Sequence, residues 1–177
     1  VSIQRARRAA AFLKAAIPAV RVAAPGIEVG AGETSPLAGV GIFMRELARV
    51  GIPPIDRWAH HPYPRLAEGH EVTSLDGEAW SDRLVAHAAL ARQLFGAGIP
   101  LDLTEFGVLH RIVNDPAVRA SIWRTAFERA CAAGARSIVA YQWAPTPAGQ
   151  GRTWDSSIMG DGLTETPESA QLPQLRC

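Results

Sequence analysis

The sequence predicts an α/β fold built on a parallel sheet, and three observations predict it. Segments with helical spacing of apolar residues alternate with short apolar runs. The runs are separated by crossovers of roughly 15–25 residues, too long for hairpins and suited to parallel neighbours. Each run also ends on a residue able to do chemistry: Glu33, His61, Glu105 and Trp143. Four strands are about half of a (β/α)8 (TIM) barrel, which usually takes about 250 residues. A small doubly wound sheet is the other architecture. A closed barrel gathers all four strand ends at one mouth, whereas an open sheet spreads them and binds its ligand at a switch point.

The elements follow in order. Residues 3–24 form a helix with Ala6, Ala10, Leu13, Ile17 and Val20 on one face, Arg5, Arg8 and Lys14 largely off it, and Pro18 as a kink. Pro25-Gly26 ends it, and a strand over 27–33 follows. A helix over 40–50, with Phe43, Leu47 and Val50 on one side, stops at Gly51. Ile52-Pro53-Pro54 is a turn, and 55–61 is the second strand. A long polar loop over 62–79 leads to a helix over 80–95, closed by Gly96-Ala97-Gly98. Residues 101–106 form the third strand. Asp115 is a natural N-cap and Pro116 suits the first turn of a helix reaching residue 133, which Gly134 terminates. The fourth strand spans 137–143, and 144–177 is an irregular tail with one short helix near its end.

At 177 residues and 47% apolar, the chain is long enough for one sizeable core. A formal net charge of +1 demands neither nucleic acid nor a membrane surface, and no apolar run approaches the roughly 20 residues of a membrane span. Cys131 and Cys177 are expected as free thiols, with one terminal bridge as the alternative, so composition leaves the compartment open. The chain opens on Val1 inside a predicted helix, which suggests a truncated or processed piece.

Several chemistries are disfavoured. Side chains alternate along a strand, so His61 and Tyr63 share a face with Ala59 while His60 faces the other way with Trp58. Neighbouring histidines that diverge make a poor metal site, and His70, His87 and His110 lack ligand spacing. No metal and no cofactor is expected. Gly30-Ala31-Gly32 lacks the third glycine of a dinucleotide fingerprint, and Glu33 would repel a pyrophosphate. Ser35, Ser121 and Ser137 lack a nucleophile elbow.

Carboxylates and aromatics remain: Glu33, Glu105, Tyr63, Trp143 and Trp154. This pairing suits sugar chemistry, in which a carboxylate stabilises an oxocarbenium-like centre and apolar sugar faces stack on indole rings. A glutamate beside a hydrophobic core costs free energy unless it is paired, hydrogen-bonded or used. Each residue has a structural alternative: Trp143 as packing, Tyr63 as a loop cap, Glu105 as an ion-pair partner.

Three stretches carry a family resemblance: 55–64 (I-D-R-W-A-H-H-P-Y-P), Leu103-Thr104-Glu105-Phe106-Gly107, and Tyr141-Gln142-Trp143. Together they resemble the second half of a clan A glycoside hydrolase, nearest to family 39 and family 5-like (cellulase-like) barrels, over residues 6–143. The resemblance implies a retaining glycosidase acting on carbohydrate, with Glu105 as nucleophile. It implies His61 and Tyr63 as the H-x-Y pair whose tyrosine hydrogen-bonds that nucleophile, and Trp143 as a sugar platform. The family's acid/base glutamate lies in an N-E-P motif on strand four. Glu33, in Gly32-Glu33-Thr34-Ser35-Pro36, departs from that motif and falls on strand five, so the acid/base is expected upstream of this chain. The other reading makes Glu33 itself the acid/base. The strands then number five to eight. Such a half barrel is expected to dimerise, aggregate or be completed by a missing N-terminal half. The tail departs from the family pattern. Rival readings are a non-catalytic carbohydrate-binding or scaffold protein on a degenerate barrel, and a metal-dependent hydrolase barrel.

Overall fold

The computed structural model describes residues 3–35, 39–63, 77–145, 155–175 and 177. Helix α1 (Ile3–Ala23) precedes strand β1 (Gly30–Thr34) and helix α2 (Val40–Val50). Strand β2 (Arg57–His60), helix α3 (Gly77–Phe95), strand β3 (Leu101–Phe106), helix α4 (Pro116–Ala132) and strand β4 (Ala135–Ala140) complete the alternation. A short helix, α5 (Pro167–Gln171), lies in the tail between two 3-10 turns, Asp161–Leu163 and Leu172–Gln174. The four strands form one parallel sheet in the order β1-β2-β3-β4.

One apolar layer joins sheet and helices. Trp58, Leu101, Leu103 and Phe106 pack with Met44, Leu47, Leu84, Ala88, Ile122, Trp123 and Ala126. Trp58 stacks on Phe95 with ring centroids 4.6 Å apart, and Phe106 meets Trp123 edge-on at the same separation. His60 points into this layer too, stacked on His87 of α3 at 3.8 Å. Trp58 Nε1 donates to His87 Nε2 (3.0 Å), and His60 Nδ1 shares a hydrogen bond with Thr34 Oγ1 (2.9 Å). Burial, and for His60 also the neighbouring His87, lowers their pKa values to about 3 for His60 and about 4 for His87. Both rings are therefore neutral near neutral pH.

The sheet's other face is ionic. Asp102 lies at the centre of a network in which Arg136 Nε and Nη2 donate to its two oxygens at 3.1 and 2.9 Å. Ser137 Oγ adds a bond at 3.0 Å and Arg57 Nη1 one at 3.4 Å, while Arg136 also holds Glu28. Burial pushes the Asp102 carboxyl up, but the bonds from Arg136 and Ser137 outweigh it and leave the pKa lowered. Leu101 pairs with Ala135 and Asp102 with Ser137, so Arg136 is an extra residue in β4. That bulge brings both Arg136 and Ser137 to Asp102.

The elements differ from the sequence reading mainly at their ends. Strand β1 starts at Gly30 rather than 27, because Val29 N is taken by Asp56 Oδ2 (2.7 Å) and Ile27 is exposed. β2 is shorter than expected, although His61 N still bonds Thr34 O (2.7 Å). β4 starts directly after Gly134 (φ +70°) and stops at Ala140. Beyond it the chain pairs with the tail instead, Ile158 N to Gln142 O and Met159 N to Trp143 O. Val20 is exposed, and α1 carries Pro18 within one unbroken span. The α4 boundaries are as read: Asp115 Oδ1 accepts from Ala117 N and Val118 N, with Pro116 in the first turn.

The cysteine expectation is corrected: Cys131 and Cys177 form a disulfide. The tail folds back along α4, with Gln171 Nε2 donating to Ala120 O and Arg119 paired to buried Glu168. This return leaves the two Cα atoms 5.4 Å apart, within bridging range.

Candidate functional site

Two further bulges set the functional side chains at the C-terminal ends of the strands. In β1, Ala31 pairs with Trp58 and Thr34 with His60, three steps against two. Ala31 and Thr34 are both buried, so the extra residue leaves Gly32 and Glu33 between two inward-packed positions. Glu33 takes φ +45°, uncommon for a residue with a Cβ. Gly32 has φ +124°, and a Cβ there would meet the Ala59 backbone and the Trp58 ring. In β3, Leu103 pairs with Ile138 and Phe106 with Ala140, again three steps against two. Leu103 and Phe106 both pack into the helix layer, so Thr104 and Glu105 both turn the other way.

A compact polar cluster results. Tyr63 OH donates to Glu105 Oε2 at 3.0 Å. His61 Nδ1 lies 3.6 Å from the same oxygen, and its Nε2 contacts Glu33 Oε2 in a short hydrogen bond. Thr104 Oγ1 donates to that same Glu33 oxygen at 2.8 Å. Burial, with the hydrogen bond and charge of Glu105, pushes the Tyr63 phenol well above its ordinary pKa, so it stays a proton donor. His61 points to this cluster and His60 to the helix layer, as strand alternation predicts.

Of the residues singled out in the sequence, Glu33, His61, Tyr63 and Glu105 come together. Trp143 is 59% exposed, and no hydrogen bond or ring contact joins its side chain to the cluster among the described residues. Trp154, His70 and positions 64–76 of the long loop lie outside the described residues. The aromatic neighbour that the structure brings in is Tyr141, whose ring meets Tyr63 edge-on at 6.4 Å. Its position, two residues before Trp143 on a predicted strand, was the available signal. Thr104 was not legible, because strict alternation sets it opposite Glu105.

The tail braces this end of the sheet. Ser156 Oγ donates to Tyr141 O, while Tyr141 N bonds Phe106 O at 2.8 Å. His110 N donates to Asp155 O and His110 Nε2 to Ser157 O, both at 2.8 Å, tying the β3–α4 loop to the same segment. Gly107 has no positive φ; it is glycine for space. A Cβ there would overlap the Tyr141 carbonyl oxygen and lie 2.6 Å from Ser156 Oγ.

No family model and no curated protein sequence matches the chain. Solved structures do. A monomeric β-xylosidase from Caulobacter crescentus CB15 superposes with a TM-score of 0.62 at 17% identity, over 86% of this chain and 34% of that one. The GH39 enzyme from Xanthomonas axonopodis pv. citri gives 0.64 at 16% identity, over 90% and 34%. ZgEngAGH5_4 gives 0.56 at 14%, over 92% and 48%. The shared fold is that of clan A glycoside hydrolases. The chain spans about a third of the length of the first two and about half of the last.

Proposed function

We propose that the chain is the C-terminal half, strands five to eight, of a retaining glycoside hydrolase barrel acting on O-glycosidic bonds of an oligo- or polysaccharide. The observation that carries this reading is the hydrogen bond from Tyr63 to Glu105 at the C-terminal end of β3, where barrel enzymes hold their chemistry. Four parallel strands in sequential order, and structural neighbours in which they would be part of a larger barrel, support the architecture.

Glu105 acts as the nucleophile: its carboxylate attacks the anomeric carbon while the glycosidic bond to the leaving oxygen breaks. A second carboxyl group about 5–5.5 Å away protonates that oxygen, then activates water to release the sugar. We assign that group to residues upstream of this chain. Glu33 is already engaged by His61 and Thr104, which supports a role lining the site rather than proton transfer. His61, Tyr63 and Trp143 are assigned to the substrate, with Tyr141 beside them. The outer edges of β1 and β4 pair, on this reading, with the remaining strands of a barrel, supplied by the missing half or by a second copy.

The test is trapping with a 2-fluoro glycoside bearing a dinitrophenolate leaving group, which departs without protonation. Peptide mapping is expected to find the label on Glu105 and to lose it in Glu105→Gln. A label elsewhere refutes the assignment. Saccharide binding unchanged by Glu105→Gln, with no label in a longer form of the polypeptide, favours the non-catalytic alternative.

A further inference from the structure

We infer that Glu33 is a positioning residue, which together with Thr104 fixes the ring orientation and tautomer of His61 so that Nδ1 is the nitrogen presented to Glu105. The inference rests on the glycosidase reading only for its consequence, not for its geometry.

Three observations carry it. Glu33 is a non-glycine residue held at φ +45° inside a bulge, a conformation that persists only where its surroundings enforce it. One of its oxygens, Oε2, receives both His61 Nε2, just past the end of the neighbouring β2, and Thr104 Oγ1 of β3, one strand further along the sheet. An ionised carboxylate only accepts, so the hydrogen of that bond sits on Nε2. With Nε2 committed, Nδ1 is left facing Glu105 Oε2 at 3.6 Å.

The groups around His61 are Glu33 from β1, Glu105 from β3, the Tyr63 ring, edge-on with centroids 6.5 Å apart, and His60 beside it in sequence. His60 is turned away and hydrogen-bonded to Thr34. The nitrogen left open toward Glu105 is therefore Nδ1, and not the one held by Glu33. Were the ring free to flip, that order would be reversed. Glu33 acts on the candidate nucleophile only through the imidazole.

The experiment uses the 177-residue chain labelled with 15N, and long-range 1H–15N correlations of the histidine rings. The expected result is the Nε2–H signature for His61 in the unaltered chain and in Glu33→Gln, whose amide oxygen still accepts. Glu33→Ala is expected to give averaged ring nitrogens. Thr104→Val, which removes the second donor to Glu33 without touching His61, is expected to move the His61 ring nitrogens toward the averaged signature by less; it decides the matter if Glu33→Ala does not fold. A wild-type ring signature in the variant that decides overturns the inference. In the trapping assay, Glu33→Ala is expected to slow labelling of Glu105 by on the order of 10²-fold, and Glu33→Gln by only a few-fold. Equal loss in both overturns it, because Glu33 would then act through its own charge or proton. Absence of any label in the unaltered chain counts against the glycosidase reading, and the ring signature still decides the role of Glu33.

Discussion

Replacing Gly107 by alanine isolates how the end of β3 is packed against the tail. The position needs no left-handed backbone, so any cost is steric. The new methyl would overlap the Tyr141 carbonyl oxygen and lie 2.6 and 2.8 Å from Ser156 Oγ and Cβ. The carbonyl oxygen must move by about 1.5 Å to reach ordinary contact with that methyl. Overpacking of this kind costs about 1–3 kcal/mol. The shift also loosens two hydrogen bonds, Tyr141 N to Phe106 O and Ser156 Oγ to Tyr141 O, at about 1 kcal/mol each. The sum is about 3–5 kcal/mol. Gly51→Ala is the reference: its backbone (φ +79°, ψ 138°) is strained for alanine but nothing lies within 4 Å, so only a backbone penalty of about 1–3 kcal/mol is expected. Urea unfolding of both variants, with slopes compared to the parent, measures the difference. If Gly107→Ala loses no more than Gly51→Ala, the close approach of tail and strand is not what requires glycine there.

Two further outcomes are expected. Arg119→Met removes the cation from Glu168, which is 1% exposed and whose Oε2 already has no hydrogen-bond partner, and should lower the unfolding free energy measured in urea by about 3–5 kcal/mol; a loss below about 1 kcal/mol would show the pair to be solvated. Stability should also fall with acid before the carboxylates titrate. His60 and His87 have folded-state pKa values of about 3 and about 4, below the unfolded value of 6.5, so the unfolded chain binds more protons as pH drops. Their contribution is complete above about pH 6.5 and is lost as pH falls towards about 4 and then about 3. The lowered carboxyls, Glu46, Asp56 and Asp102, act only below about 4.5, which leaves pH 5–6.5 to the histidines. Urea midpoints across that interval should slope in the parent and flatten in His87→Gln; an unchanged slope would refute the buried-pair explanation.

The parts of the fold that were legible are those whose signals are local. Asp115, Pro116 and Gly134 bracket α4 because capping depends on a few adjacent residues. The divergence of His60 and His61 followed from strand alternation alone. What was not legible depends on partners distant in sequence. Cys131 meets Cys177 only after the tail returns along α4. The need for glycine at position 107 shows only once Tyr141 and Ser156 are placed against it. The family resemblance points to Trp143, but Tyr141 takes the place beside Tyr63 because the sheet ends at Ala140. Thr104 stayed hidden because nothing in the spelling of a strand announces an irregular step.

That irregular step has a consequence for how this chain is compared with others. Which way a strand residue looks is a matter of parity, and the two acids look outward because β1 and β3 each count one more residue than their neighbours. Deleting Gly32 or Thr104 would restore plain alternation with Glu33 or Glu105 still on the face it already takes, because the removed residue is the one the neighbouring strand lacks. A pairwise alignment without a gap at those points would match packing positions to acidic ones, even for two proteins of the same shape.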